Sequence, residues 1–234
     1  MENRFRAKGR SRPGKLLGNY WEWLSVRARG VVCPESDLEN DFCTLVDTSP
    51  LVRSWRHQPR SISAVVDGEE VTSILDVEVH HLDGSTFYWE VKPAETVRAA
   101  APGTRTWRQL EAQRRWSRLE HQNYGIATER HARRNLVDLA NRKLIRASVA
   151  ARQLQGLGDL PVRLQRAVGG DQRTVGDIHA EFSKAPQEDI QDALMWALYT
   201  GMVSADLTAR LLSLGTLVRP YETPTDITQD SPVY

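Results

Sequence analysis

Asp76 is followed after thirteen residues by Glu90, and after one more residue by Lys92, in the runs ILDVEV (74–79) and FYWEVK (87–92). Alternate side chains of an extended strand share a face. Leu75, Val77 and Val79 then form one apolar face with Asp76 and Glu78 opposite, and Phe87, Trp89 and Val91 form another with Glu90 and Lys92 opposite. The LDGS segment (82–85) carries the Asp-Gly signal of a tight hairpin turn, which makes the two runs antiparallel neighbours. Asp76, Glu90 and Lys92 are therefore expected to converge on one surface. Neighbouring carboxylates repel and resist desolvation unless a cation intervenes. Mg²⁺, with Mn²⁺ able to substitute, is the hard, oxygen-seeking ion normally held by one or two carboxylates plus water and phosphate. A lysine two residues from a ligand can orient or deprotonate a nearby water, or stabilise charge developing at phosphorus. The competing reading is an exposed hairpin face carrying a plain Lys–Glu pair.

The elements that must position these groups are legible in outline. In ESDLENDFCTLVD, Leu38, Phe42 and Leu45 recur at helical spacing, and Ser36 with Glu39 three residues later makes a capping-box pattern. A helix from about Asp37 to Asp47 follows, with Glu39 either its capping glutamate, a third site carboxylate, or both. SISAVV (61–66), a DGEE turn, VTSILDVEVHH and TFYWEVKP read as an antiparallel meander. RTWRQLEAQRRWSRLEH reads as a helix with an apolar stripe of Trp107, Leu110, Trp116 and Leu119. NYGIATE reads as a strand and ERHARRNLVDLANRKLI as one basic helix. The order over 35–145 is thus α–β–β–β–α–β–α, an α/β fold with a mixed sheet flanked by helices. After a composition shift near QGLGDLP, the segments LPVRLQRAV, TVGDIHAEF and QEDIQDALMWALYTGMV read as short amphipathic helices, and VSADL as a strand. Three helices ending in a hairpin outline a small, mostly helical winged-helix-like domain.

The net charge of +1 conceals a segregation along the chain. Residues 1–30 hold eight Lys/Arg against two acids, and residues 31–97 hold four against thirteen. Residues 98–152 return to thirteen against four, and residues 153–234 hold six against eleven. An acidic block between basic ones suits a cation site whose surroundings hold a polyanion. Arg114, Arg115, Arg118, Arg130, Arg133 and Arg134 are the candidate contacts to a DNA backbone, where such contacts position a duplex but specify little; solvated helix faces are the alternative. The expected organisation is a basic arm (1–30), a nuclease-type domain (31–148), the winged-helix-like domain (149–221) and a disordered tail (222–234). No apolar run reaches the roughly 18–20 residues of a membrane span, and LLGNYWEWLSV is interrupted by Asn19 and Glu22, so secretion is not expected. Cys33 and Cys43 stand ten apart, in neither a metal nor a redox spacing, which fits a reducing, cytoplasmic setting.

With S-D-L-E-N-D-F, H-Q-P (57–59), I-L-D (74–76), W-E-V-K and the Y-G-I-A-T-E strand, residues 35–145 resemble the TnsA-type endonuclease subunit of heteromeric transposases. The resemblance implies a restriction-endonuclease-like fold and a D…ExK nuclease site. In it Glu39, Asp76 and Glu90 are the metal-binding carboxylates and Lys92 the catalytic lysine. Leu75 stands where that family often has proline, a change in backbone rigidity and not in ligand chemistry. The implied activity is nicking of double-stranded DNA at the 5′ ends of a transposon, beside a DDE-type transposase subunit and an AAA+ ATPase regulator, in a bacterial cytoplasm and on the nucleoid. A stand-alone restriction or repair nuclease of the same fold, and a non-catalytic DNA-binding adaptor, are the alternatives.

Other residues carry less. His80 would share the face of Asp76, although an exposed strand end accounts for it, and Glu78 is a substitute carboxylate should the register slip. Gln58-Pro59 reads as a strand start. Ser61 and Ser63 have no His–Asp arrangement beside them, and Gly169-Gly170 lacks the Lys-Ser/Thr of a phosphate loop.

Overall fold

Ser36 fixes where the first long element begins. Its backbone is extended (φ −151°, ψ 160°) and its hydroxyl accepts the Glu39 N–H at 3.2 Å, satisfying one of the donors a helix start leaves open. From there helix α1 (Asp37–Thr48) runs as expected, buried from Asn40 onward. The computed structural model describes residues 19–152 and 156–222; the rest of the basic arm and the tail from 223 lie outside them. Before α1, β1 (Trp23–Ser25) pairs with β2 (Gly30–Val32) in a short hairpin. Residues 23–25 and 30 of the expected arm are thus strand, and a boundary after residue 30 falls inside that hairpin.

Five strands follow α1 where three were expected: β3 (Val52–His57), β4 (Ser61–Val66), β5 (Glu69–Ile74), β6 (Val77–His81) and β7 (Thr86–Val91). The run ILDVEV is not one strand. It breaks at Leu75–Asp76, so β5 pairs only with β4, whereas β6 enters a four-stranded sheet of order β3-β6-β7-β8. Strand β8 (Asn123–Ala127) lies parallel to β7, and the antiparallel β3–β6 and β6–β7 ladders make the sheet mixed. A parallel neighbour requires a crossover, supplied by α2 (Ala94–Arg98) and α3 (Arg105–Leu119).

The break separates two cores. Val77 and Val79 pack with Phe42, Val46, Trp55 and Trp89 between the sheet and α1. Leu75 instead joins Ile62, Val66, Tyr88, Ala112 and Trp116, where the β4–β5 hairpin and α3 cover the other face. The sheet is therefore flanked by helices on both faces. Of the stripe expected on α3, Leu110 and Trp116 are buried, Trp107 is partly so, and Leu119 is 75% exposed, since α3 ends there. The expected basic helix is two: α4 (Glu129–Ala132) and α5 (Leu136–Arg152). The Asn135 side chain accepts the Val137 and Asp138 N–H groups and restarts the second.

The C-terminal part contains α6 (Leu160–Val168), β9 (Arg173–Thr174), α7 (Val175–Glu181), α8 (Gln187–Thr200), β10 (Val203–Ala205) and β11 (Leu217–Pro220). Its strands form a sheet of order β10-β11-β9. Its core includes Ile145 and Val149 of α5, so a domain boundary at 148/149 would cut a helix both parts share. Gly201 ends α8 in the left-handed region (φ +75°), and a Cβ there would stand 3.0 Å from Pro50. Among the described residues no helix is long and apolar enough to cross a membrane.

Candidate active site

The β5/β6 break creates the site. With β6 beginning at Val77, opposite Trp89, Asp76 is left at the opening. Its N–H donates to the Trp89 carbonyl (3.1 Å) and its carbonyl accepts the Gln58 N–H (2.7 Å). Its carboxylate Oδ2 takes the Val91 N–H at 2.7 Å. Side chain thus replaces backbone in the last rung toward β7, and the Asp76 carboxylate is drawn toward Glu90.

Glu90 is fully buried, at 0% exposure. The competing reading of an exposed hairpin face does not hold: Tyr88, Trp89, Glu90 and Val91 are all buried because α3 covers the side opposite α1. Two glutamines one turn apart on α3 meet the carboxylate there. Gln109 Nε2 donates to Oε1 (2.8 Å) and Gln113 Nε2 to Oε2 (2.6 Å). Tyr124 of β8 donates to Gln113 Oε1 at 2.7 Å and fixes that amide. Lys92 leaves the end of β7 on the same side and pairs with Glu90 Oε1.

Glu39 arrives from α1. Its Oε2 accepts the Glu35 N–H at 2.9 Å, one residue short of the capping-box partner, and lies 3.8 Å from Nε2 of His57 at the end of β3. The capping role and the approach to the site therefore coexist. Cys43, one turn further along α1, is a buried free thiol. Burial raises its pKa well above the ordinary value, and the Glu39 and Asp76 charges raise it further.

The electrostatics are those of crowded acids. Burial pushes the Asp76 carboxyl well above its ordinary pKa, and repulsion from Glu90 and then Glu39 adds to it, against Lys92 and the Val91 N–H. Glu90 is also raised by burial, despite Lys92 and Gln113. Burial would lift Glu39 too, but His57 and the Glu35 N–H outweigh it and its pKa lies below the usual value. Burial opposes charge on Lys92, yet Glu90 and Asp76 prevail and raise it. Lys92 is an ammonium.

Glu39, Asp76, Glu90 and Lys92 thus act on one another, as their types and spacing suggest. Glu78 does not join them; it accepts the Tyr88 hydroxyl (2.9 Å) and faces Arg56 and His80 at 3.7 Å each. His57, Gln109, Gln113 and Tyr124 are the additions. The glutamines had a signal, two amides at i and i+4 in a run otherwise rich in arginine, whereas Tyr124 had none. The six arginines lie apart from the carboxylates. Arg115 binds Glu111 and the Val65 carbonyl, Arg118 binds Glu111, and Arg133 binds Asp41 at 2.6 Å. Arg114 is half-buried, and Arg130 and Arg134 are exposed.

Among the described residues no three His, Cys, Asp or Glu side chains already stand in metal-holding geometry. The donor set nevertheless fits a divalent cation: two acids are held against their own charge, and the buried Nε2 of His57 has no hydrogen-bond partner. No protein-family model matches the chain, and no curated protein sequence matches it.

Proposed function

We propose that the chain is a metal-dependent DNA endonuclease with a restriction-endonuclease-like fold, nicking the 5′ ends of a transposon as one subunit of a heteromeric cut-and-paste transposase. The observation that carries the nuclease reading is the meeting of Asp76 and Glu90, both raised in pKa by burial, with the ammonium of Lys92 and with Glu39. Glu39, Asp76 and Glu90 would hold Mg²⁺ or Mn²⁺. When bound, the ion supplies a Lewis acid that polarises the scissile phosphate and offsets the carboxylate charges. Lys92, being protonated, cannot accept a proton from water; it orients the attacking water and donates to a phosphate oxygen as charge builds. The water oxygen bonds to phosphorus as the P–O3′ bond breaks, and the proton the water loses, passed through solvent, is balanced by the one the leaving 3′-oxygen gains, which gives a 5′-phosphate and a 3′-hydroxyl. Gln109 and Gln113 hold the Glu90 carboxylate in place.

The transposon context rests on the family resemblance of residues 35–145. Three helices followed by the β10–β11 pairing support a winged-helix-like C-terminal part. Exposed Arg130 and Arg134 support backbone contacts to double-stranded DNA. A DDE-type transposase, an AAA+ ATPase regulator and a cytoplasmic, nucleoid-associated location belong to the same reading.

Strand cleavage on transposon-end DNA with Mg²⁺ is the test. Asp76→Ala and Lys92→Ala are each expected to reduce 5′-end nicking by at least about 100-fold, a loss on the scale of one electrostatic catalytic group, with DNA binding retained. Unreduced nicking by both variants would sink the assignment. Cutting by the purified protein alone indicates the stand-alone restriction or repair nuclease, and cutting only beside a transposase indicates the subunit. One observation favours the adaptor reading: both Glu90 oxygens already have protein partners. Calorimetry with Mg²⁺ and Mn²⁺ decides this, since an adaptor shows no Asp76-dependent uptake.

A further inference from the structure

His57 is the group near the site that the nuclease reading leaves without work. Its side chain is 11% exposed, and its Nε2 is fully buried with no hydrogen-bond partner. A buried ring nitrogen left unpaired costs free energy and calls for an explanation. The nearest charged atom is Glu39 Oε2, at 3.8 Å. That gap is too long for a hydrogen bond. It lies just above the roughly 3–3.5 Å separating two ligands that share one cation at bonds of about 2.0–2.2 Å.

The backbone around His57 ties it to the carboxylates. The next residue, Gln58, is in the left-handed region at φ +46°, an uncommon state for a residue with a side chain. That turn delivers the Gln58 N–H to the Asp76 carbonyl at 2.7 Å. One turn of chain thus anchors both the imidazole facing Glu39 and the backbone carrying Asp76.

Resting on the nuclease reading, we propose that His57 Nε2 is a ligand of the catalytic cation, so that the site offers mixed nitrogen and oxygen donors and favours Mn²⁺ over Mg²⁺. Imidazole suits first-row transition ions, whereas Mg²⁺ prefers an all-oxygen shell. Glu39, Asp76 and Glu90 would supply the oxygens.

Mn²⁺ electron spin echo spectroscopy on the full-length protein tests this without any turnover. Wild type is expected to show the modulation of a directly bound ¹⁴N, replaced by the ¹⁵N pattern when histidine is ¹⁵N-labelled. His57→Gln should lose the signal and weaken Mn²⁺ binding about 10-fold or more, the scale at which perturbing a metal site's ligand environment is felt, with Mg²⁺ binding little changed. Asp76-dependent Mn²⁺ binding with no nitrogen modulation in wild type overturns the ligand role and leaves the nuclease reading standing, as does a signal that persists in His57→Gln. Absence of Asp76-dependent binding of either ion overturns both. Absence of nitrogen modulation in the wild-type spectrum overturns the ligand role whether or not the variant folds.

Discussion

Asp76 stores a cost that only its charge explains. A carboxyl whose folded pKa lies above its unfolded value holds its proton more tightly when folded. Its contribution to stability is therefore greatest below the unfolded pKa and is lost as pH rises through the folded one. Asp76→Asn keeps an acceptor for the Val91 N–H and removes the repulsion from Glu90 and Glu39. In metal-free buffer this variant should melt above wild type at pH 7.5, and the difference should vanish as pH falls into the ordinary Asp range. Mg²⁺ should raise the wild-type Tm and leave the variant's unchanged, because an ion stabilises only the state that binds it. Equal melting at pH 7.5 would contradict the raised pKa. At this scale the spacing of Asp76, Glu90 and Lys92 was readable because the hairpin turn between them is short. His57 was not, because an imidazole's meaning depends on what stands across from it, here Glu39, on a helix eighteen positions earlier in the chain.

Strands and helices were readable where periodicity is local. The helix from Asp37, α3 and the three C-terminal helices lie where the apolar spacing puts them. The break at Leu75–Asp76 was invisible, because alternation continues through it while the two halves bury their residues in different cores. β3 carries little apolar periodicity, since VRSWRH buries only Val52 and Trp55. Packing within the sheet makes one prediction. Gly125 of β8 lies opposite Trp89 of β7, and a Cβ there would sit 2.4 Å from the indole. Gly125→Ala must displace Trp89, which packs against Phe42 (ring centroids 5.6 Å apart). A loss of about 1–3 kcal/mol is expected, as for other overpacked cores. Urea unfolding measures it, and an unchanged midpoint would mean that the indole moves aside freely.

Taken whole, the molecule is joined by α5 and by one arginine. Arg142, Lys143 and Arg146 of α5 bind Thr48, Asp41 and Asn40 of α1, while Ile145 and Val149 complete the C-terminal core. Arg27, in the turn of the β1–β2 hairpin, donates to the carbonyls of Asp47 (2.9 Å), Val52 and Tyr199 (2.6 Å) and stacks on the Tyr199 ring at 4.6 Å. Beside it Asp47 accepts from Ser25 and Trp55. Arg27→Ala strands buried acceptors at a cost of about 1–3 kcal/mol each. It should lower the denaturation midpoint with the slope unchanged, and two separate transitions would show that the parts unfold independently. Charge segregation gave no hint of this joint. Its members come from four segments, and composition averages each of them away.

Arg27 and the Tyr199 carbonyl are 172 residues apart along the chain. A ribosome adding roughly 5–20 residues per second needs on the order of ten to thirty seconds to bring the second into existence after the first. Over that interval Arg27 can reach the carbonyls of Asp47 and Val52 but not that of Tyr199. The β1–β2 hairpin is therefore completed only when the C-terminal part of the chain arrives.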